Sequence, residues 1–113
     1  MWLHIKNEVI TDLREMQKAT KINNLYITGI SLGGGLSILS YKDIFDAKIF
    51  SNIRVTTYGA PRVGNKNWAA WFDNLTGKNT RRYVVNGDTV TVMPKCLTLL
   101  CNYGNTGIKI TCY

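Results

Sequence analysis

The sequence predicts an α/β fold with a mostly parallel sheet and flanking helices, and three observations lead there. Apolar residues alternate between helical and strand-like spacing, in the order helix, strand, helix, strand, helix, strand, loop, strand. That order is how parallel sheets are built, because each parallel step needs a crossover. The strand-like stretches are short and rich in β-branched and aromatic residues, and one of them runs straight into a glycine-rich turn that opens a helix. With 113 residues, 45% of them hydrophobic and 19% charged, the chain suits a single globular domain.

Ile5, Val9, Leu13 and Met16 recur at spacings of four, four and three, which makes one apolar face of a first helix. It fades by Thr20, where Lys21-Ile22-Asn23-Asn24 reads as a turn. Leu25–Thr28 follows as a short strand, then Gly29-Ile30-Ser31-Leu32-Gly33-Gly34-Gly35, then an apolar helix through Leu36–Tyr41. Ile53–Tyr58 is a second strand, ended by Gly59-Ala60-Pro61. Trp68, Trp71, Phe72 and Leu75 sit at helical spacing, with Asn65 as N-cap and Gly77 as stop. That spacing favours packing in the core over a lipid-facing aromatic surface. Tyr83–Val85 is a third strand, broken at Asn86-Gly87-Asp88, and Ile108, Ile110 and Cys112 alternate with polar residues in a last, half-buried strand.

Composition narrows the function classes. Fourteen Lys and Arg against seven Asp and Glu leave a net charge of +7. The basic residues are scattered and no nucleic-acid-binding signature accompanies them, so nucleic acid is not an expected partner. An anionic membrane surface or an acidic protein remains compatible with that charge. No apolar run reaches the roughly 18–20 residues of a membrane span, and the first ten residues lack the order of a signal peptide. Cys96, Cys101 and Cys112 lie in the last eighteen residues, compatible with one disulfide and a thiol or with three thiols. No CxxC pair occurs and the only histidine, His4, is remote, so no metal site is expected.

Gly29-Ile30-Ser31-Leu32-Gly33 is a G-x-S-x-G pentapeptide between a strand and a helix. A serine forced into so sharp a turn is crowded, and glycines two before and two after relieve the crowding. The turn lifts the hydroxyl clear of the backbone and aims the Leu32 N–H and the helix start at a developing oxyanion. Neither a phosphate loop nor a dinucleotide fingerprint fits, because no Lys-Ser/Thr pair follows the last glycine and no G-x-G-x-x-G occurs.

Gly29-Ile30-Ser31-Leu32-Gly33-Gly34-Gly35-Leu36 resembles the nucleophile segment of the class 3 (fungal-type) lipases, usually written GHSLGGAL. Thr57-Tyr58-Gly59-Ala60-Pro61-Arg62-Val63-Gly64-Asn65 is similar to that family's second hallmark, and Asn86–Pro94 to the segment that carries its acid. The resemblance runs from about Leu25 to Tyr113 and implies a partial α/β-hydrolase fold, residues 1–113 being the C-terminal portion of such a domain. It implies ester hydrolysis on lipid substrates such as acylglycerols, with no cofactor, by a Ser-Asp-His triad. Ser31 takes the nucleophile's place, Asp88 the acid's, and Leu32 contributes an oxyanion-hole N–H. The acid follows the serine by 57 residues, in the hydrolase chain order.

The histidine departs from that pattern, because none follows Asp88. The resemblance puts Asn105, in Tyr103-Gly104-Asn105-Thr106-Gly107, at the base position, and an amide cannot take the serine's proton. The expectation is therefore an impaired hydrolase. The alternative is a non-catalytic module that binds an acyl ligand, an anionic membrane surface or a protein partner. His4, at the start of the first helix, is expected on the same sheet edge as Ser31 but displaced by about one helix diameter, roughly 10 Å. Arg62 is expected to hold nearby carbonyls or Asp88, and Ile30 to pack inward. The family's earlier strands are missing, so Leu25–Thr28 should have an unpaired edge that a longer chain or another chain would complete.

Overall fold

The computed structural model describes residues 1–76, 79–94 and 103–113. Three helices, α1 (Trp2–Thr20), α2 (Leu32–Asp46) and α3 (Lys66–Thr76), alternate with strands β1 (Asn24–Ile30), β2 (Asn52–Tyr58), β3 (Gly64–Asn65), β4 (Thr80–Val85), β5 (Tyr103–Gly104) and β6 (Ile108–Cys112). Strands β1, β2, β4 and β6 form one parallel sheet in that order, with β1 at its edge. The short β3 and β5 pair antiparallel beside it, a ladder too brief to leave a periodic signal in the sequence. Gly77, Cys96 and Cys101 lie outside the described residues; Cys112 is an exposed free thiol.

The chain crosses the sheet in one direction, from β1 to β2 to β4 to β6. Right-handed crossovers made always in the same direction place their helices on the same face. Helices α2 and α3 accordingly share one core: Tyr41 meets Phe72 edge-on at 5.4 Å, and Trp68 stacks on Phe72 at 5.2 Å. Ile53, Val55 and Thr57 turn inward beneath them and are buried. Trp68 and Phe72 therefore pack as expected, while Trp71 turns outward and is 40% exposed. The opposite face carries no helix among the described residues. Tyr26, Ile30, Tyr58 and Val85 stand there between 45% and 74% exposed.

Ile30 thus does not pack inward. Period-two alternation gives the inner face of β1 to Leu25, Ile27 and Gly29, which leaves Tyr26, Thr28 and Ile30 on the outer one. Among the described residues β1 pairs on one side only, with β2, as expected.

Helix α1 is also rotated from expectation, with Ile5 and Met16 exposed while Trp2, Val9 and Leu13 face the core. The cause is a polar anchor near the end of α2. Trp2 Nε1 donates to Asp43 Oδ2 at 2.8 Å and Lys6 Nζ lies 3.3 Å from Asp43 Oδ1. Burial alone would push the Asp43 carboxyl up. The Trp2 and Lys6 hydrogen bonds and the charges of Lys6 and Lys42 outweigh it and hold the group below its ordinary 3.8. Lys21 closes α1 in the left-handed region at φ 59°, its N–H donating to the Gln17 carbonyl. At α3, the Trp68 N–H donates to Asn65 Oδ1 at 2.7 Å, the cap that the sequence predicts.

Candidate active site

Strand β1 ends at Ile30 and α2 starts at Leu32, so the whole reversal is made by Ser31. Its φ of 53° and ψ of −121° lie in a region that side chains rarely occupy, costing on the order of 1–3 kcal/mol. Three contacts hold it there. The Ser31 N–H donates to the Tyr58 carbonyl at 2.8 Å, and the Ser31 carbonyl accepts from Gly34 and Gly35 at 2.9 and 3.3 Å. The hydroxyl makes no capping bond to α2, and the residue is exposed. A serine that would ordinarily spend its oxygen on the helix N-terminus keeps it free for other chemistry.

The two glycines of the motif differ. A side chain on Gly29 would strike the Gly33 carbonyl and come within 2.6 Å of Ser37 Oγ, which itself donates to that carbonyl. On Gly33 it would meet nothing within 4 Å, so crowding explains the first glycine and not the second. Leu32, the first helical residue, is 61% exposed. N–H groups in a helix's first turn lack intrahelical acceptors and sit at its positive end, which suits the expected oxyanion donor.

Asp88 follows β4 and caps a short 3-10 turn, Thr89–Val92: Oδ1 accepts from the Val90 N–H at 3.0 Å. Oδ2 lies over Gly59, where a Cβ would come within 2.9 Å of it. Gly59 has φ +62° and donates its N–H to the Tyr83 carbonyl. The tip of β2 is therefore the bridge of the site, with Tyr58 holding Ser31 on one side and Gly59 underlying Asp88 on the other. β1 and β4 flank β2, so Ser31 and Asp88 rise from strands about 10 Å apart on one sheet edge. Sequence reasoning named Gly59 only as the end of a strand and a motif position, not for its place beneath Asp88.

The expected base position falls on Asn105, which precedes β6; that strand runs parallel to β4 from Arg81↔Ile108 to Val85↔Cys112. Asn105 itself lies outside the main sheet, directly after Gly104, whose strand β5 pairs with Gly64 and Asn65 and lies against Lys66 and Ala69 at the start of α3. Its neighbours anchor structure instead, with the Thr106 carbonyl accepting from Arg82 Nε at 3.1 Å and the Gly107 N–H donating to Asp73 Oδ1 at 2.7 Å.

His4 is also displaced from expectation. It is exposed, one turn or less from Trp2 and Lys6, which are both tied to Asp43. Asp43 lies twelve residues along α2 from Ser31, about 18 Å at the helical rise. The Asp43 anchor carries the N-terminus of α1 to the far end of α2, away from the serine. Arg62 serves carbonyls, as expected: its N–H donates to the Met93 carbonyl at 2.7 Å and Nη1 to that of Pro94 at 3.4 Å. Among the described residues no three His, Cys, Asp or Glu side chains gather in a cluster that could hold a metal ion.

Comparison with known proteins bears on this arrangement. Residues 1–98 match the family model described as Lipase (class 3), so the likeness begins with α1 and not at Leu25. The chain is 28% identical over 102 residues to secreted mono- and diacylglycerol lipase 2 of Gibberella zeae, covering 82% of this chain and 25% of that protein. It is 37% identical over 76 residues to lipase ZK262.3 of Caenorhabditis elegans, covering 66% of this chain and 21% of that one. Among solved structures, lipase II from Rhizopus niveus superposes with a TM-score of 0.86 at 26% identity, over 97% of this chain and 41% of that one. The chain thus spans a quarter or less of these curated relatives and about two fifths of that structure. Its parallel sheet with flanking helices corresponds to part of the α/β-hydrolase fold.

Proposed function

The chain belongs to the class 3 lipase family, and from that premise we propose that it carries the nucleophile and acid of a serine ester hydrolase acting on lipid esters. Ser31 Oγ attacks the ester carbonyl, the Leu32 N–H and the start of α2 stabilise the oxyanion, and Asp88 holds the protonated base. The observation that supports this most is the Ser31 turn, strained at φ 53° yet leaving its hydroxyl uncommitted. Strain kept in place by three backbone hydrogen bonds is a feature of functional turns. Acylglycerols are the proposed substrate class, consistent with the relative from Gibberella zeae.

The reaction also needs a base, and the one histidine of this sequence, His4, lies on the stretch of α1 that the Trp2–Asp43 bond ties to the far end of α2 from Ser31. Without one, the serine proton has no acceptor and turnover is impaired. About 10 Å between the strands bearing Ser31 and Asp88 leaves the space that an imidazole would bridge.

A fluorophosphonate probe tests the assignment. Slow labelling that disappears in Ser31→Ala supports it. Absence of labelling in folded protein sinks it and favours the non-catalytic module, a reading supported by the net charge of +7.

A further inference from the structure

Three successive residues at the exit of β2 each touch a different part of the proposed site. The Tyr58 carbonyl accepts the Ser31 N–H at 2.8 Å. Gly59 lies beneath Asp88, and its N–H donates to the Tyr83 carbonyl at 2.9 Å, which ties this exit to β4, the strand that leads to that carboxylate. Ala60 has no part in the chemistry proposed above, yet it is fully buried, at 0% exposure.

What Ala60 meets is the first turn of α2. A Cβ on Gly34 would fall 2.7 Å from the Ala60 Cβ, closer than two such carbons can stand, with the Gly29 carbonyl oxygen at 3.2 Å and Thr57 Cβ at 3.3 Å. A carbon–carbon bond of about 1.5 Å then puts Gly34 Cα within about 4.2 Å of the Ala60 methyl group, which is contact distance. The neighbouring glycines are less constrained. A Cβ on Gly33 meets nothing within 4 Å, and one on Gly35 would stand at an ordinary 3.5 Å from Pro61 Cγ. Gly34 is thus the point at which the start of α2 seats on the exit of β2. Its N–H also donates to the Ser31 carbonyl at 2.9 Å, so this seat is one hydrogen bond away from the strained turn.

We propose that Ala60 is a positioning residue, its methyl group setting the height of the first turn of α2 over the tip of β2. That height fixes where the Ser31 turn and the Leu32 N–H stand relative to Asp88. The proposal rests on the reading of Ser31 and Asp88 given above. Protein interiors are close-packed, so one methyl group more or less at such a seat moves its neighbours. Without the Ala60 methyl group α2 settles toward β2, and with a second one on Gly34 the helix is lifted. Either change shifts the serine turn, carried by α2, against Asp88, carried by β4 and underlain by Gly59. Misplacement by 1 Å can cost a reaction roughly 10²-fold, so a shift of a few tenths of that is enough to measure.

Moving the methyl group across the contact tests this. The rate of fluorophosphonate labelling at Ser31 should fall about tenfold in Ala60→Gly, and at least as far in Gly34→Ala. The exchange variant, Gly34→Ala with Ala60→Gly, keeps one methyl group between helix and strand and should recover most of the lost rate. Ala69→Gly removes a buried methyl group from α3, away from this contact, and should lower stability without slowing the labelling. Amide NMR supplies a second readout: the Leu32 and Val90 N–H resonances should shift in each single variant and return toward wild type in the exchange variant. If Gly34→Ala does not fold, Ala60→Gly and the exchange variant carry the comparison. Unchanged labelling in Ala60→Gly overturns the proposal. So does an exchange variant no faster than Ala60→Gly, or equal slowing in Ala69→Gly. If the wild type is not labelled, the reading of Ser31 fails by itself and the amide resonances decide the positioning role. A Leu32 shift that the exchange variant does not reverse then overturns it.

Discussion

The two glycines that bracket Ser31 occupy equivalent places in the sequence and opposite ones in the molecule. Gly29 is pressed between the strand and the first turn of α2, where a methyl group would collide with the Gly33 carbonyl and Ser37 Oγ. Gly33, two residues beyond the serine, faces open space. The sheet repeats the contrast on a larger scale. Val55 and Thr57 are fully buried beneath the helices, while Tyr26 and Ile30 on the other face are 67% and 74% exposed. The Ser31 turn is thus braced from the helical side and open on the other. What holds Ser31 in its strained conformation is separate from whatever would meet a substrate.

The sharpest way to break that comparison is to substitute both glycines. Gly29→Ala should destabilise the fold by about 3 kcal/mol or more, because backbone would have to move. Gly33→Ala should change stability by less than about 1 kcal/mol, with a gain in helix propensity the only clear effect. Urea denaturation measures both, and equal losses would show that the open side is not open. Gly59→Ala comes next. It places a side chain at φ +62° and 2.9 Å from Asp88 Oδ2, and should cost about 1–3 kcal/mol. Its effect should reach Asp88 before Ser31, so the NMR chemical shifts of Asp88 and its capped Val90 N–H should change while those of the Ser31 turn persist.

The smallest effect concerns α1. The folded Asp43 carboxyl lies below its ordinary value of 3.8, so its contribution is complete above that value and is lost as pH falls through the lower, folded one. Acid should therefore loosen the Trp2 end of α1 first, seen as a change in Trp2 fluorescence. In Asp43→Asn that acid step should vanish. If the step survives the substitution, the anchor lies elsewhere.

Much of this was legible in the sequence. The serine turn, the strand before it, and the helix after it follow from a pentapeptide whose residue types have few alternative uses. Strands β2, β4 and β6 follow from β-branched runs and alternation, and the Asn65 cap from its place before an apolar helix. Order along the chain is a local property and was read well. Which end of the sheet a residue reaches is not local. Asn105 sits in a motif-like segment, but its placement depends on the pairing of Gly104 with Gly64, residues far apart in the chain. His4 was misplaced because of another such long-range contact. The bond from Trp2 to Asp43 joins residues 41 apart, and no periodicity in α1 announces it. Ile30 looks like a core residue in composition, and only the bareness of one sheet face explains its exposure.

Steady-state hydrolysis of a short-chain acyl ester by the purified chain, beside Ser31→Ala, measures the central claim most directly. On the proposed assignment of Ser31 and Asp88, with no histidine after Asp88 in the sequence, the rate should stay within about 10³–10⁴-fold of the uncatalysed reaction. Ser31→Ala should lower it further. Turnover at the ordinary enzymatic scale of roughly 1–10³ per second, dependent on Ser31, would contradict the account, because a base would then have to reach that serine.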